Sequence, residues 1–420
     1  MVARWRGWCC KRATELTRDE SVALDRRDEL ASFRDLFLLP EGVIYLDGNS
    51  LGPLPRATTA SVTQVLEREW GQSLIRSWTD HGWIDLQFRI GDKIAQLIGA
   101  SPGTTVVADS TSVNLYKLLA AALQCRPGRK VILTEADNFP TDLYIAQGLA
   151  AHLSLGHEVR RVTDVVAALD DAVAVLMLTH VNYRSGVMHE MAALTDAAHA
   201  AGALVLWDLS HSAGAVPLQL EADAVDLAVG CGYKYLNGGP GAPAFLYIAG
   251  HMQDELQLPL TGWLGHAAPF AFESDYRPAA GVARAVVGTP PILSLAALEV
   301  GVDISLQAPM AAMRAKSLAL ADLFMTLMRP KHEFQLLTPR DAARRGSQVA
   351  FTHPNGYAIV QALIERGVIG DFRAPDVLRF GLAPLYVRFV DIWDAVAMVR
   401  DVMRSGAWED DRFQQRRKVT

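Results

Sequence analysis

The stretch ALVLWDLSHSAGAVPLQLEADAVDLAVGCGYKYLNGG, residues 203–239, decides the fold. It opens on an unbroken apolar run, 203–207, that ends at Asp208. A second strand-like segment, 226–229, gives way to Gly230, Cys231, Gly232, Tyr233 and Lys234. Short apolar runs bounded by turn-forming residues read as strands buried on both faces, the habit of parallel sheets. The 26 residues from Asp208 to Lys234 have room for one crossover and one further strand. An acid and a lysine therefore leave the carboxyl ends of strands, where open α/β sheets hold their ligands.

The same pattern extends outward. Residues 131–134 and 172–179 read as further buried strands, and amphipathic helices lie between them. One such helix, 191–201, stops at Gly202 as a helix C-cap would. From about residue 100 to 248 the alternation predicts a mainly parallel sheet covered by helices on both faces, an α/β architecture. The character then changes. A strand at 348–352, a helix at 356–366, strands at 368–372 and 378–382 and a helix at 392–403 suggest a smaller α+β domain. With 420 residues, half of them hydrophobic, the chain is too long for one ordinary core. The expected division is a large domain over 50–305 and a small one from 21–49 with 306–420. Residues 1–20 are expected to form an extension without fixed structure.

Composition excludes several classes. Lys plus Arg is 40, Asp plus Glu is 46, and the net charge is -6. A mildly acidic surface argues against broad binding to nucleic acid or anionic membranes. The cysteines at 9, 10, 125 and 231 have neither zinc-type spacing nor the density of a disulfide scaffold, which fits a reducing cytoplasm. The eleven histidines form no spaced ligand set, so no metal is expected. No apolar run is long enough to cross a bilayer, and residues 1–20 lack the apolar stretch of a secretory signal.

The acid and the lysine have companions. Asp109 to Leu115, DSTSVNL, opens a helix whose free N–H groups and hydroxyls, Thr111 and Ser112, suit an anion. Asp137 to Asp142, DNFPTD, follows the strand 131–134 and offers Phe139 to stack on a ring and Asp142 to approach its polar edge. His211 lies three residues past Asp208, and Tyr233 sits beside Lys234. Each has a plainer meaning on its own. Asp208 is a good helix cap, Ser and Thr cap helices everywhere, Pro140 and Thr141 are helix-start signals, His211 can be structural, and a lone loop lysine is usually solvated. Together they supply what pyridoxal phosphate (PLP) needs from a protein: a lysine for its aldehyde, a carboxylate for its ring nitrogen, a phosphate cup and a cover for the ring. Partial desolvation at the sheet edge favours the nucleophilic amine.

Five runs narrow the choice: YLDGNSLG at 45–52, NFPTD at 138–142, WDLSHS at 207–212, GYKYLN at 232–237 and GTPPIL at 288–293. On these the chain resembles the kynureninase family, fold-type I PLP enzymes of the class V aminotransferase group, over roughly residues 24–403. The resemblance implies PLP-dependent hydrolysis of the Cβ–Cγ bond of L-kynurenine, releasing anthranilate and alanine in tryptophan catabolism, the kynurenine pathway and NAD biosynthesis. It implies that Lys234 carries the cofactor, that Asp208 faces its ring nitrogen with His211 beside it, and that Phe139, Asp142 and Thr179 complete the cofactor site. Thr111, Ser112 and Tyr233 match phosphate or cofactor contacts. Trp263 and Thr289 match contacts delivered by the second subunit of a homodimer whose active site lies at the interface. Arg379, in LRFGLAPLY at 378–386, matches the arginine that grips the substrate α-carboxylate, a bidentate task to which arginine is suited. Without that match it would read as a surface arginine on a strand. Tyr233 is the candidate proton donor to Cβ.

Ser50, Trp78, Gly288 and Thr289 match positions lining the pocket for the substrate's aromatic ring. Trp78, with no polar partner at Gly288, suits the unhydroxylated ring, so 3-hydroxykynurenine is expected to be the poorer substrate. The rival reading is another class V reaction, an aminotransferase or a desulfurase. Desulfuration calls for a mobile cysteine in the C-terminal half, and the last cysteine here is Cys231.

Overall fold

The structure, a computed structural model, describes residues 17–329 and 332–416. Its centre is a seven-stranded sheet. From edge to edge the strands are Thr105–Val107, Phe245–Ile248, Leu227–Gly230, Leu204–Asp208, Val173–Thr179, Val131–Glu135 and Glu158–Val162. Five neighbouring strands run parallel, while Phe245–Ile248 pairs antiparallel with both of its neighbours. All seven residues of Val173–Thr179 and all five of Leu204–Asp208 are buried. That explains their unbroken apolar sequence, because helices cover both faces.

The predicted strands fall within a residue or two of those observed. The helix expected at 191–201 spans Met191–Ala200, and Gly202 beyond it has φ +77°. Thr111–Gln124 forms the helix expected after Asp109, with Ser110 as its N-cap, accepting from the Val113 N–H at 3.3 Å. The strand expected at 368–372 is broken. Val368–Ile369 pairs in parallel with Ile44–Tyr45, and Asp371–Arg373 pairs antiparallel with Val377–Gly381. Gly370 is the hinge, since a Cβ there would meet Phe380 at 2.8 Å.

A second sheet, in the order Gln335–Leu336, Gln348–Thr352, Val377–Gly381 and Asp371–Arg373, carries its own apolar cluster. That cluster draws Leu24, Leu30, Phe37 and Leu46 from the start of the chain and packs them with Phe324, Phe351, Phe380 and Phe389. The large sheet has a separate cluster of residues between Leu86 and Val302. Arg18–Glu20 does not belong to a structureless extension. These residues start the helix Arg18–Asp25, capped by Thr17 and tied to Asp394 by Arg18 at 2.8 Å. The remainder of that extension, 1–16, lies outside the described residues. No single helix among the described residues is long and apolar enough to cross a membrane.

Candidate active site

The carboxyl ends of the central strands meet in one cavity of about 230 Å³. Register puts Thr179 directly beside Asp208, and Asp208 beside Val229, one residue short of the turn that leads to Lys234. The cavity is lined by Thr111, Ser112, Phe139, Asp142, Thr179, Asp208, His211, Tyr233 and Lys234, with Ser110, Thr141 and Ser210. Every one of these is reached by a strand end or a helix start, so the sheet edge alone gathers them.

Lys234 is buried, and its Nζ lies 3.4 Å from His211 Nε2. The same Nζ sits 5.9 Å from the Phe139 ring centroid and 5.8 Å from that of Tyr233. Burial, then the nearby charges of Lys234 and Arg379, hold the His211 imidazole well below its usual pKa, so it is neutral. Asp208 accepts the Ser210 N–H at 2.8 Å and is pushed up by burial, against the pull of Ser210 and Lys234. Asp142 accepts from Thr179 Oγ1 at 3.2 Å and is pushed well up by burial and by the charge of Asp208. Burial, then the charges of Cys231 and Asp208, raise the Tyr233 phenol, which therefore keeps its proton.

This arrangement fits PLP on its own chemistry. Asp208 and Asp142 are both almost wholly buried, and Asp142 Oδ1 has no hydrogen-bond partner. A buried carboxylate without a cation is costly, and a protonated ring nitrogen relieves it. Opposite the acids, the start of the helix Thr111–Gln124 presents unpaired N–H groups and two hydroxyls, the cradle a phosphate requires. Between them a lysine and an aromatic ring face the same space.

A loop threads the site to the second apolar cluster. Residues 47–52 pass between the strand Val377–Gly381 and the lysine turn. Gly52 N–H donates to the Tyr233 carbonyl at 2.8 Å, and a Cβ at Gly52 would come within 2.6 Å of the Lys234 carbonyl. Two of the most distinctive runs, YLDGNSLG and GYKYLN, are thus in backbone contact. Asp47, in this loop, is half-buried, and its Oδ1 is shut off from solvent without a hydrogen-bond partner. Burial, then Asp371, push it up to about 7, against Ser50, Arg379 and Arg373. A folded-state value above the unfolded 3.8 means that Asp47 costs stability as pH rises between the two, and nothing further above the higher value. The Asp47→Asn variant should therefore gain on the parent by roughly 2 kcal/mol between about pH 5 and pH 8 in denaturant unfolding. An unchanged difference across that range would contradict the assignment.

Arg379 is not a surface arginine. It is 1% exposed and held by Asp371, with Nε to Oδ1 at 2.8 Å and Nη2 to Oδ2 at 2.5 Å. Nη2 also donates to Ser50 Oγ at 3.1 Å, and Nη1 donates to the Tyr183 carbonyl. Tyr183 in turn meets Phe139 edge to face at 5.2 Å. Burial works against the charge of Asp371, but Arg379, Arg373 and Ser50 hold it below the usual carboxylate range.

Six of the residues singled out from sequence stand outside the lining of this cavity in the single chain: Ser50 and Arg379, which form the cluster just described, and Trp263, Gly288, Thr289 and Trp78. Trp263 is 40% exposed and packs edge to face on Phe270 at 5.7 Å. Gly288 and Thr289 are exposed. Trp78 is half-buried, edge to face with Trp83 at 5.9 Å, and Trp83 Nε1 donates to the buried Glu69 at 2.6 Å. Sequence reasoning passed over Asp47, Ser210, Asp371 and Arg373. For Asp371 a signal exists: it and Arg379 lie at equal distances from Pro375 in a hairpin, which makes them direct cross-strand partners.

Comparison with known proteins agrees with this geometry. The chain is 52% identical over 414 residues to a kynureninase of Pseudomonas fluorescens, covering 96% of this chain and 100% of that one. It belongs to the kynureninase family. A kynureninase of Burkholderia pseudomallei (strain 1106a) is 53% identical over the same 96% and 100%. Residues 313–399 match the model of the kynureninase C-terminal domain. Among solved structures, the cysteine desulfurase CsdA of Escherichia coli superposes with a TM-score of 0.76 at 19% identity, covering 90% of this chain and 99% of that one. A C-DES variant with glycine covalently linked to its PLP cofactor gives 0.75 at 19%, covering 88% and 99%. These likenesses show the fold, that of fold-type I PLP enzymes with a smaller C-terminal domain. Kynureninases and desulfurases share this frame, and here its last cysteine, Cys231, is buried behind the lysine turn, with Sγ 3.8 Å from the Ser210 carbonyl.

Proposed function

We propose that the chain hydrolyses the Cβ–Cγ bond of L-kynurenine to anthranilate and L-alanine, with PLP held by Lys234. The observation that carries this is the cavity shared by Lys234, Asp208, Phe139 and the start of the helix Thr111–Gln124, alongside kinship to kynureninases over nearly the whole chain. Bound PLP supplies an electron sink next to the substrate Cα. The residues have separate tasks. Thr111, Ser112 and Tyr233 hold the phosphate, Phe139 covers the ring, and Asp142, Thr179 and His211 line its polar edge. Asp208 keeps a proton on the ring nitrogen. Arg379 orients the substrate α-carboxylate, and Lys234 Nζ takes the proton from Cα. Tyr233, kept protonated by burial, gives one to Cβ as the Cβ–Cγ bond breaks. Water supplies the oxygen that ends in the anthranilate carboxyl group.

Ser50, Trp78, Gly288 and Thr289 form the proposed pocket for the substrate ring. Trp263 and Thr289 act in the neighbouring site of a homodimer. Exposed Trp70, Ile75, Phe272 and the Trp263–Phe270 pair support such an association, because large apolar side chains grouped at a surface favour a covering partner. The domain division at 50–305 against 21–49 with 306–420 is supported by the two separate apolar clusters. The free thiols Cys125 and Cys231 support a cytoplasmic setting.

The test is a steady-state assay on L-kynurenine and its 3-hydroxy analogue with the aromatic product identified. Anthranilate and alanine should appear in equal amounts without added keto acid. The kcat/KM for kynurenine should exceed that for the hydroxylated substrate roughly 10-fold or more, since an unpaired buried hydroxyl is penalised. Amino transfer to a keto acid instead would overturn the reading.

A further inference from the structure

Arg379 has little left to offer a substrate. Of its five N–H groups, two are taken by Asp371, one by Ser50 and one by the Tyr183 carbonyl. The one remaining N–H cannot make a two-point grip. The charges point the same way, since Asp371 already neutralises one guanidinium.

Arg373 differs. It stands two residues from Asp371 on the same strand, with its side chain 36% exposed against 1% for Arg379. Its Nη2 reaches Asp371 Oδ2 at 2.8 Å and Ser50 Oγ at 3.3 Å, and Nη1 donates to the Phe372 carbonyl at 3.3 Å. Its Nε–H and one Nη1–H have no acceptor among the described residues. The two arginines thus converge on Ser50 Oγ from either side, and the field of both reaches His211, which lines the cofactor cavity. Asp371 is the carboxylate in contact with both guanidinia. The second acid nearby, Asp47, is pushed up to about 7 by burial and by Asp371, so near neutral pH it is only partly charged and the cluster around Ser50 keeps an excess of positive charge. The ligand this cluster lacks is a single anion with two oxygens.

We propose that Arg373 is a second arm on the substrate α-carboxylate: Arg379, fixed by Asp371, gives one hydrogen bond, and Arg373 supplies the balancing charge and the other. This rests on the reading of the site as one for an α-amino acid. Binding to the holoenzyme tests it by calorimetry. The ligands are L-kynurenine reduced at the γ-carbonyl, which lacks the scissile ketone, and the same molecule without its carboxyl group. The parent should prefer the carboxylate-bearing ligand. In Arg373→Gln that ligand should weaken roughly 10- to 100-fold, the worth of charge-assisted hydrogen bonds, while the decarboxylated one keeps its affinity. Arg373→Lys should recover part of the loss. Equal weakening of both ligands would mean that Arg373 only braces the hairpin, and an unchanged preference would remove it from the substrate; either outcome overturns the proposal. If the parent itself shows no preference for the carboxylate, the amino-acid reading fails first, and the two failures are told apart.

Discussion

Lys234→Ala should lower turnover of kynurenine by at least ~10⁴-fold, the loss expected when a covalent anchor that is also the base at Cα is removed. Two signals should vanish with it. The visible absorbance that depends on covalent attachment of PLP should disappear, and borohydride should no longer add the cofactor's mass to the chain. Cofactor binding itself should persist, because the helix start at Thr111 and the ring of Phe139 are untouched. The fold should hold as well, since the lysine turn is fixed by its backbone. Gly52 N–H binds the Tyr233 carbonyl at 2.8 Å, and Asn237 N–H binds that of Lys234 at 3.0 Å. Turnover at the parent's rate would remove Lys234 from the chemistry.

Asp208→Asn should lower kcat roughly 10²- to 10³-fold, the range seen when one preorganised electrostatic partner is deleted. The substitution is nearly isosteric, and the amide oxygen can still accept the Ser210 N–H now at 2.8 Å. What it loses is the charge proposed to keep a proton on the ring nitrogen. The wild-type carboxylate is buried and raised by desolvation, so a cationic partner is worth more to it than to a solvated acid. The variant should therefore retain the covalent cofactor and its colour while kcat falls. A kcat within about twofold of the parent would show that Asp208 is only a strand-end cap.

Much of this site could be read from residues whose meaning is local. Asp208 and Lys234 follow apolar runs that can only be buried strands, and strand direction then places both side chains at one edge. The start of Thr111–Gln124 was legible because capping chemistry is confined to a few neighbouring residues. Asp371 and Asp47 were missed, for physical reasons. The role of Asp371 comes from cross-strand register with Arg379, and register depends on where the chain breaks at Gly370, which looked like continuous strand. Asp47 acquires its character from burial beneath elements more than three hundred residues away in sequence. Trp78, Gly288, Thr289 and Trp263 were named through kinship alone, since no pattern within one chain draws them to the cavity.

The threading of residues 47–52 between the two apolar clusters has a further consequence. On the proposed function, holding the vitamin falls to the first cluster and gripping the amino acid to a hairpin rooted in the second, and one short loop touches both. Damage to the second cluster should thus yield a yellow, folded protein that converts nothing, so colour reports a loaded enzyme and says little about a working one.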